Sequence, residues 1–131
     1  MKKFIFILLT MFSTSLYAEW TEVTKNMRGD YYYVDFENIK KKGNYLFYWE
    51  LTDFLESPFG DKSILSSKKY VHINCETGGY KILSIFDYNQ SMAAGEVIDH
   101  ITFESVDWSF SPRGSAGYSI YLKLCKKKID E

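Results

Sequence analysis

The chain has 131 residues, enough for one domain and not two. Sixteen Lys and Arg stand against 17 Asp and Glu, a formal charge of −1. That balance lacks the basic excess that general nucleic-acid binding requires. A chain of this size can bury a real core, yet it is small enough to benefit from a covalent staple.

The N-terminus reads MKKFIFILLTMFSTSLYAEW. Lys2 and Lys3 form a positive start, Phe4 to Phe12 an apolar run, and Leu16-Tyr17-Ala18 a small-residue end. This is the anatomy of a Sec-type signal peptide, with cleavage expected after Ala18. The apolar run is too short to span a bilayer, which takes about 20 residues. Removing 18 residues leaves 113, and the loss of two lysines moves the charge to −3. The short leader without arginine reads as bacterial. Glu19, not Cys, would become the new N-terminus, so no lipid anchor is expected.

Glu19–Lys25 reads as a first strand with Trp20 as a buried anchor. Asn26–Asp30 is a turn cluster. It contains Arg28-Gly29-Asp30, a tripeptide that integrins read in exposed loops; the simpler reading is a solvated turn around Gly29. Tyr31–Phe36 and Tyr45–Thr52 read as a hairpin, with Lys40-Lys41-Lys42-Gly43-Asn44 as its turn. Strand side chains alternate faces. Tyr45, Phe47, Trp49 and Leu51 therefore make a wholly apolar, aromatic face, and Leu46, Tyr48, Glu50 and Thr52 a mixed one.

Phe54–Asp61, with Pro58 and Gly60, is a loop. Ser63–Cys75 and Tyr80–Tyr88 form a second hairpin around Thr77-Gly78-Gly79. The alternation puts Lys68, Tyr70, His72 and Asn74 on one face of its first strand, and groups Tyr80, Ile82, Phe86 and Tyr88 on the second. Asn89–Gly95 is a short irregular piece. Val97–Phe103 alternates again, with Val97, Ile101 and Phe103 on one side. Asp107–Gly114 is a connector. Ser115–Lys128 fits two patterns. Tyr118, Ile120, Leu122 and Leu124 alternate as in a strand. Ser115 as N-cap and Lys126–Lys128 at the far end suit a helix. Together these elements imply an α+β domain: an antiparallel sheet of about six strands with a helix on one face.

Two cysteines, Cys75 and Cys125, in an exported chain imply one disulfide. A metal site built from His72, Cys75, His100 and Cys125 conflicts with strand geometry, which points His72 and Cys75 to opposite faces. No cofactor is expected.

Catalytic signals are weak. Arg113-Gly114-Ser115-Ala116-Gly117 lacks the first glycine of a nucleophile elbow, and a cap serine fits better. Two histidines without a recognisable Ser or Cys partner make no triad. Nothing in the spacing of Asp87, Asp99, Glu104 and Asp107 selects an acid–base pair. Gly78-Gly79 lacks the lysine and helix start of a phosphate loop. Asn89-Gln90-Ser91 is a glycosylation sequon, idle in a bacterium. An enzyme is not expected.

The lysine clusters are the candidate binding residues: Lys40, Lys41 and Lys42; Lys68 and Lys69; and Lys126–Lys128. Each also has a plain structural reading as a solvated turn, gatekeepers of an exposed strand, or a helix end. Two of them on one side of the sheet would make a local basic patch, suited to an acidic polysaccharide or an acidic protein segment.

An ordered set of residues runs through the whole mature chain. It comprises Trp20; Tyr32-Tyr33-Val34-Asp35 and Ile39; Trp49-x-Leu51-x-Asp53-Phe54; Ser63; Asn74-Cys75; Tyr88; Met92 and Gly95; Trp108; Pro112-x-Gly114-Ser115; and Cys125. This set resembles the bacterial surface-adhesin protein E family. The resemblance implies one domain over residues 19–131, with a small antiparallel sheet and a C-terminal helix tied by a disulfide. It tips Ser115–Lys128 toward helix. It also implies an exported, non-enzymatic binding module, possible as a homodimer. The family's best-known member binds host matrix and plasma proteins such as vitronectin, laminin and plasminogen. Two features depart from that pattern: no lipid-attachment cysteine is evident, and the chain ends Ile129-Asp130-Glu131 rather than in lysine. The alternative expectation is a periplasmic structural or accessory protein. No binding residue carries over by motif.

Overall fold

The computed structural model describes residues 18–58, 60, 63–104 and 106–125. The leader before Ala18 and the Lys126–Lys128 cluster lie outside the described residues.

Tyr45–Asp53 (β4) is the hub of the sheet. One of its edges pairs with both Tyr31–Val34 (β2) and Lys40–Lys42 (β3). Thr21–Lys25 (β1) extends the sheet outside β2. The other edge of β4 pairs with Ser66–Asn74 (β5), which pairs with Gly79–Tyr88 (β6). Val97–Thr102 (β7) and the short Ser109–Phe110 (β8) both lie along β6. Every pairing is antiparallel, and the main path runs β1-β2-β4-β5-β6-β7. The expected count of about six strands corresponds to this path, with β3 and β8 beside it.

The first hairpin differs from expectation in one respect. Lys40–Lys42 are a strand, not a turn; the turn is Gly43-Asn44, with Gly43 at φ +62°. Asp35 causes the break after β2. It is buried, and it accepts hydrogen bonds from Glu37 N at 3.2 Å and Asn38 Nδ2 at 2.7 Å. These bonds cap a 3₁₀ turn at Phe36–Asn38, after which the chain rejoins the same edge of β4.

Ala116–Cys125 (α1) resolves the ambiguous segment as helix. The Ser115 hydroxyl oxygen accepts Tyr118 N at 3.2 Å, the N-cap geometry. Ile120 and Leu124, four apart, fall on one helical face and are buried against Val34, Leu46, Tyr48, Val71 and Ile73. The cluster that the helix covers thus lies on the mixed face of β4, and Leu51 of the aromatic face is buried as well. Cys125, at the helix C-terminus, is disulfide-bonded to Cys75, just beyond β5.

Bulges correct two of the alternation patterns. In β6, Ser84 pairs with Tyr70 but Ile82 pairs with Val71, so Leu83 is extra. One extra residue flips every side chain beyond it. Tyr80 and Ile82 therefore face the helix, whereas Phe86 and Tyr88 face away. A second shift at Asp87/Tyr88 likewise separates Val97 from Ile101 in β7.

Candidate functional site: the open aromatic face

The face of the sheet opposite the helix is set by register. Phe47 of β4 lies opposite His72 of β5, and Trp49 lies opposite Tyr70. Lys68 pairs with Phe86 of β6, which pairs with His100 of β7. The residues that alternation alone marks as most apolar are thus the ones the helix leaves uncovered. Tyr45 is 40% exposed, and Phe47, Trp49 and Tyr70 are half-buried.

Their rings touch in sequence. Trp49 and Tyr70 have centroids 4.8 Å apart, Phe47 and Tyr70 6.2 Å, and Phe47 and His72 4.2 Å with ring planes within 10°. Tyr45 lies 5.1 Å from His72 and 6.1 Å from Trp108, which reaches in from the segment before β8. At the other end Phe86 is 5.9 Å from Trp49 and stacks on His100 at 4.0 Å. Such separations suit offset and tilted ring pairs.

Two cations sit on this track. The Lys68 ammonium lies 4.5 Å from the Trp49 centroid and 5.7 Å from that of Phe86. Burial pushes its pKa down, and no carboxylate offsets that. The Lys81 ammonium lies 4.6 Å from the Trp108 centroid. Both are cation–π contacts. Beside them a groove of about 750 Å³ is lined by Trp49, Lys68 and Tyr70 on one side and Trp20, Glu37 and Lys40 on the other. Trp20, expected as a buried anchor, is instead a half-buried wall of this groove. A hydrogen bond to Glu19 raises the Glu37 pKa.

The candidate lysines separate. Lys40 faces the Phe47 side and Lys42 the Tyr45 side, so both join Lys68 on the open face. Lys41 faces the Leu46 side, and Lys69 pairs across strands with Glu50 on the helix face. Burial raises the Glu50 pKa; Lys69 and a hydrogen bond from Tyr48, 3.2 Å long, hold it partly down. Among the described candidates, Lys40, Lys42 and Lys68 therefore share one face. Lys81 and Trp108 were missed in the sequence. The β6 bulge alone decides that Lys81 shares their face, and no local pattern marks Trp108.

His72 is enclosed by rings, and its Nε2 is buried with no hydrogen-bond partner. Burial, then the nearby Lys81, lower its pKa from 6.5. The unfolded state therefore binds the proton more readily, and folding loses stability as pH falls below about 6.5. Replacing His72 with Phe is expected to flatten the stability difference between pH 7.5 and the window just below 6.5. Urea midpoints of parent and variant across that window check this.

The Arg28-Gly29-Asp30 turn is built inward. Asp30 is 7% exposed, and its carboxylate accepts Leu55 N and Asn26 Nδ2, each at 3.0 Å. Asn26 Oδ1 accepts the Arg28 and Asp30 amides. The aspartate is thus occupied within the fold and is not presented for integrin capture. Asp30→Ala is expected to cost about 2 kcal/mol of stability, because it removes the buried carboxylate that accepts the part-buried Leu55 amide and Asn26. A urea-midpoint shift below a quarter of that would reject the structural role.

Ser115 is engaged as the helix cap and donates to Pro112 O at 2.6 Å, so it is no nucleophile elbow. Among the described residues, no group of three or more His, Cys, Asp and Glu could hold a metal ion. No helix among them is long and apolar enough to cross a membrane.

The model of the family described as surface-adhesin protein E matches residues 20–126. Protein E from non-typeable Haemophilus influenzae shares the fold at 13% identity and a TM-score of 0.56, covering 89% of this chain and 82% of that one. A second structure of Haemophilus influenzae protein E matches at 13% identity and a TM-score of 0.58, over 90% of this chain and 92% of that one. Its crystal form II matches at 14% identity and a TM-score of 0.58, over 87% and 92%. No curated protein sequence matches the chain. With the family model spanning both cysteines, the sheet and the helix, this chain belongs to the surface-adhesin protein E family.

Proposed function

We propose that this chain is an exported, non-enzymatic adhesin that works outside the cell as a binding module for a host matrix protein, plasma protein or glycan. The observation that carries this reading is the open face itself. The sheet is covered by a helix on one side, and the uncovered side concentrates half-exposed rings with cations standing over them. Such a surface is recognition chemistry, not turnover chemistry. The leader expected over residues 1–18 supports export, and Lys40, Lys42 and Lys68 are the candidate contacts.

The test is surface labelling. A non-permeant amine reagent on intact cells is expected to mark mature protein beginning at Glu19. Recovery only by osmotic shock, never labelled, would place it in the periplasm as an accessory protein and reject the adhesin reading.

The module is also proposed to form a homodimer. The edge strand β7 carries exposed Val97, Ile98 and Ile101, and Phe110 of β8 is 63% exposed. Unpaired strand edges with apolar side chains favour association. Sedimentation at micromolar concentration is expected to give twice the mature mass; a monomeric mass rejects the dimer.

A further inference from the structure

We infer that the open aromatic face is a binding track for a linear anionic host polysaccharide of the glycosaminoglycan class, with sugar rings on Trp49, Tyr70 and Phe47 and its acid groups on Lys68, Lys40 and Lys81. This rests on the adhesin reading and goes further, since it names one ligand chemistry and the residues that hold it.

Three features of the face select that occupant. The first is shape. The rings from Trp49 to Tyr45 lie along one strand, four residues apart, a run of about 13 Å at 3.3 Å per residue. Tyr70 and His72 lie alongside the row on β5, opposite Trp49 and Phe47, and Trp108 closes its far end. A row of half-exposed rings on rigid strands offers successive apolar contact surfaces. That suits a chain of sugar rings better than one compact ligand, because each ring presents its C–H face to a π surface.

The second is charge. Lys68 and Lys81 stand over rings at opposite ends of the row, and Lys40 lies opposite Phe47 in register. The ammonium of Lys68 is half-buried, and among the described residues its partners are π faces. A cation in that position lacks the charge-assisted hydrogen bonds that a sulfate or carboxylate supplies. The chain as a whole is acidic, so this positive row is a local arrangement and not a by-product of composition.

The third is the boundary. The groove beside the row has an acidic wall, Glu37 together with Glu19. That wall opposes an anion at the edge of the groove, next to Lys40 and Lys68. It also supplies a variant with a sign opposite to the lysines. Glu37 is exposed in a short turn, so its replacement leaves the core untouched.

The experiment measures binding of the mature exported protein to a size-defined heparin octasaccharide by calorimetry, at about 0.15 M salt. Uncharged dextran of similar length is the control. Saturable heparin binding that weakens with salt is expected, with none to dextran. Lys68→Gln is expected to weaken it tenfold or more, whereas Lys69→Gln, on the helix face, changes it less than twofold. Glu37→Gln is expected to tighten it at least twofold. Trp49→Phe, which keeps a ring and the fold, is expected to weaken it severalfold.

Absence of saturable heparin binding overturns the inference. So does an equal loss in Lys68→Gln and Lys69→Gln, which would mean a diffuse charge effect. Preferential binding to the producing bacterium's own envelope polysaccharide overturns the host source. Binding to a matrix protein with no heparin binding overturns the inference and leaves the adhesin reading intact. Heparin binding by a protein that surface labelling never reaches upholds the track and overturns the adhesin reading alone.

Discussion

Replacing both cysteines, Cys75→Ser with Cys125→Ser, is expected to lower the unfolding free energy by about 4 kcal/mol. The bond closes a loop across a sequence separation of 50 residues. Its main effect is on the unfolded chain, whose freedom it restricts, and the restriction grows with loop length. Domains of this size have a total stability of about 5–15 kcal/mol, so the loss would take away a large share. The bond also ties the helix to the sheet. Cys125 is the last residue of α1, and Cys75 immediately follows β5, so the disulfide holds the helix C-terminus against the hairpin. Urea unfolding of the double variant at neutral pH measures the change. A loss under about 1 kcal/mol would mean that the helix is held by packing alone.

Ile120→Ala carries the second large effect, an expected loss of about 3 kcal/mol. Ile120 is 1% exposed and sits with Leu124 between the helix and the β4–β5 core. Truncation removes buried methyl groups and leaves a cavity that rigid strands on one side cannot fill. Leu122, on the same helix but outside the buried set, is the control: Leu122→Ala is expected to cost less than half as much. Equal losses would show that the strand-like alternation of Tyr118, Ile120, Leu122 and Leu124 describes the segment better than the helix does. The cysteine and Ile120 variants act on the same docked helix. Their combination is expected to fall short of the sum of the two losses, because a helix already detached has less left to lose.

Both variants bear on binding only indirectly. The ring track is held by β4, β5 and β6, while the helix packs on the opposite side of the same strands. Flattening or loosening the sheet would spread the rings and separate Lys68 from Trp49. Stability and binding are therefore expected to fall together in these variants, and separately in Lys68→Gln.

Much of this was legible in the chain. Period-two alternation located β4, the β5–β6 hairpin and β7, because strands of a half-covered sheet must alternate. Serine before an apolar run identified the helix start, although alternation over the same residues left strand equally open until the resemblance weighed in. Two cysteines in a chain read as exported implied the bond that the structure contains. The ordered tryptophan, tyrosine, glycine and cysteine positions pointed to the family that the model of residues 20–126 establishes.

Other features depended on contacts between distant segments. Alternation divided β4 into an aromatic and a mixed face but could not say which one the helix would cover. The tertiary structure gives the core to Leu46 and Tyr48, whose shapes meet Ile120 and Leu124, and leaves Phe47 and Trp49 open. A single bulged residue, Leu83, moves Lys81 onto the face of Lys68, and no local property of Leu83 announces it. Lys68 and Lys69 are neighbours in sequence and were read as one cluster. The pleat sends them to opposite sides, one to rings and the other to Glu50. Arg28-Gly29-Asp30 read as a solvated turn, and only the amide of Leu55, 25 residues away, shows that its aspartate is consumed by the fold. Most of the elements, the staple and the family were legible in the chain, because these follow from local periodicity and residue order; the Lys40–Lys42 strand was not. The tertiary structure decided which side faces outward and which charges meet, because those depend on register and on long-range packing.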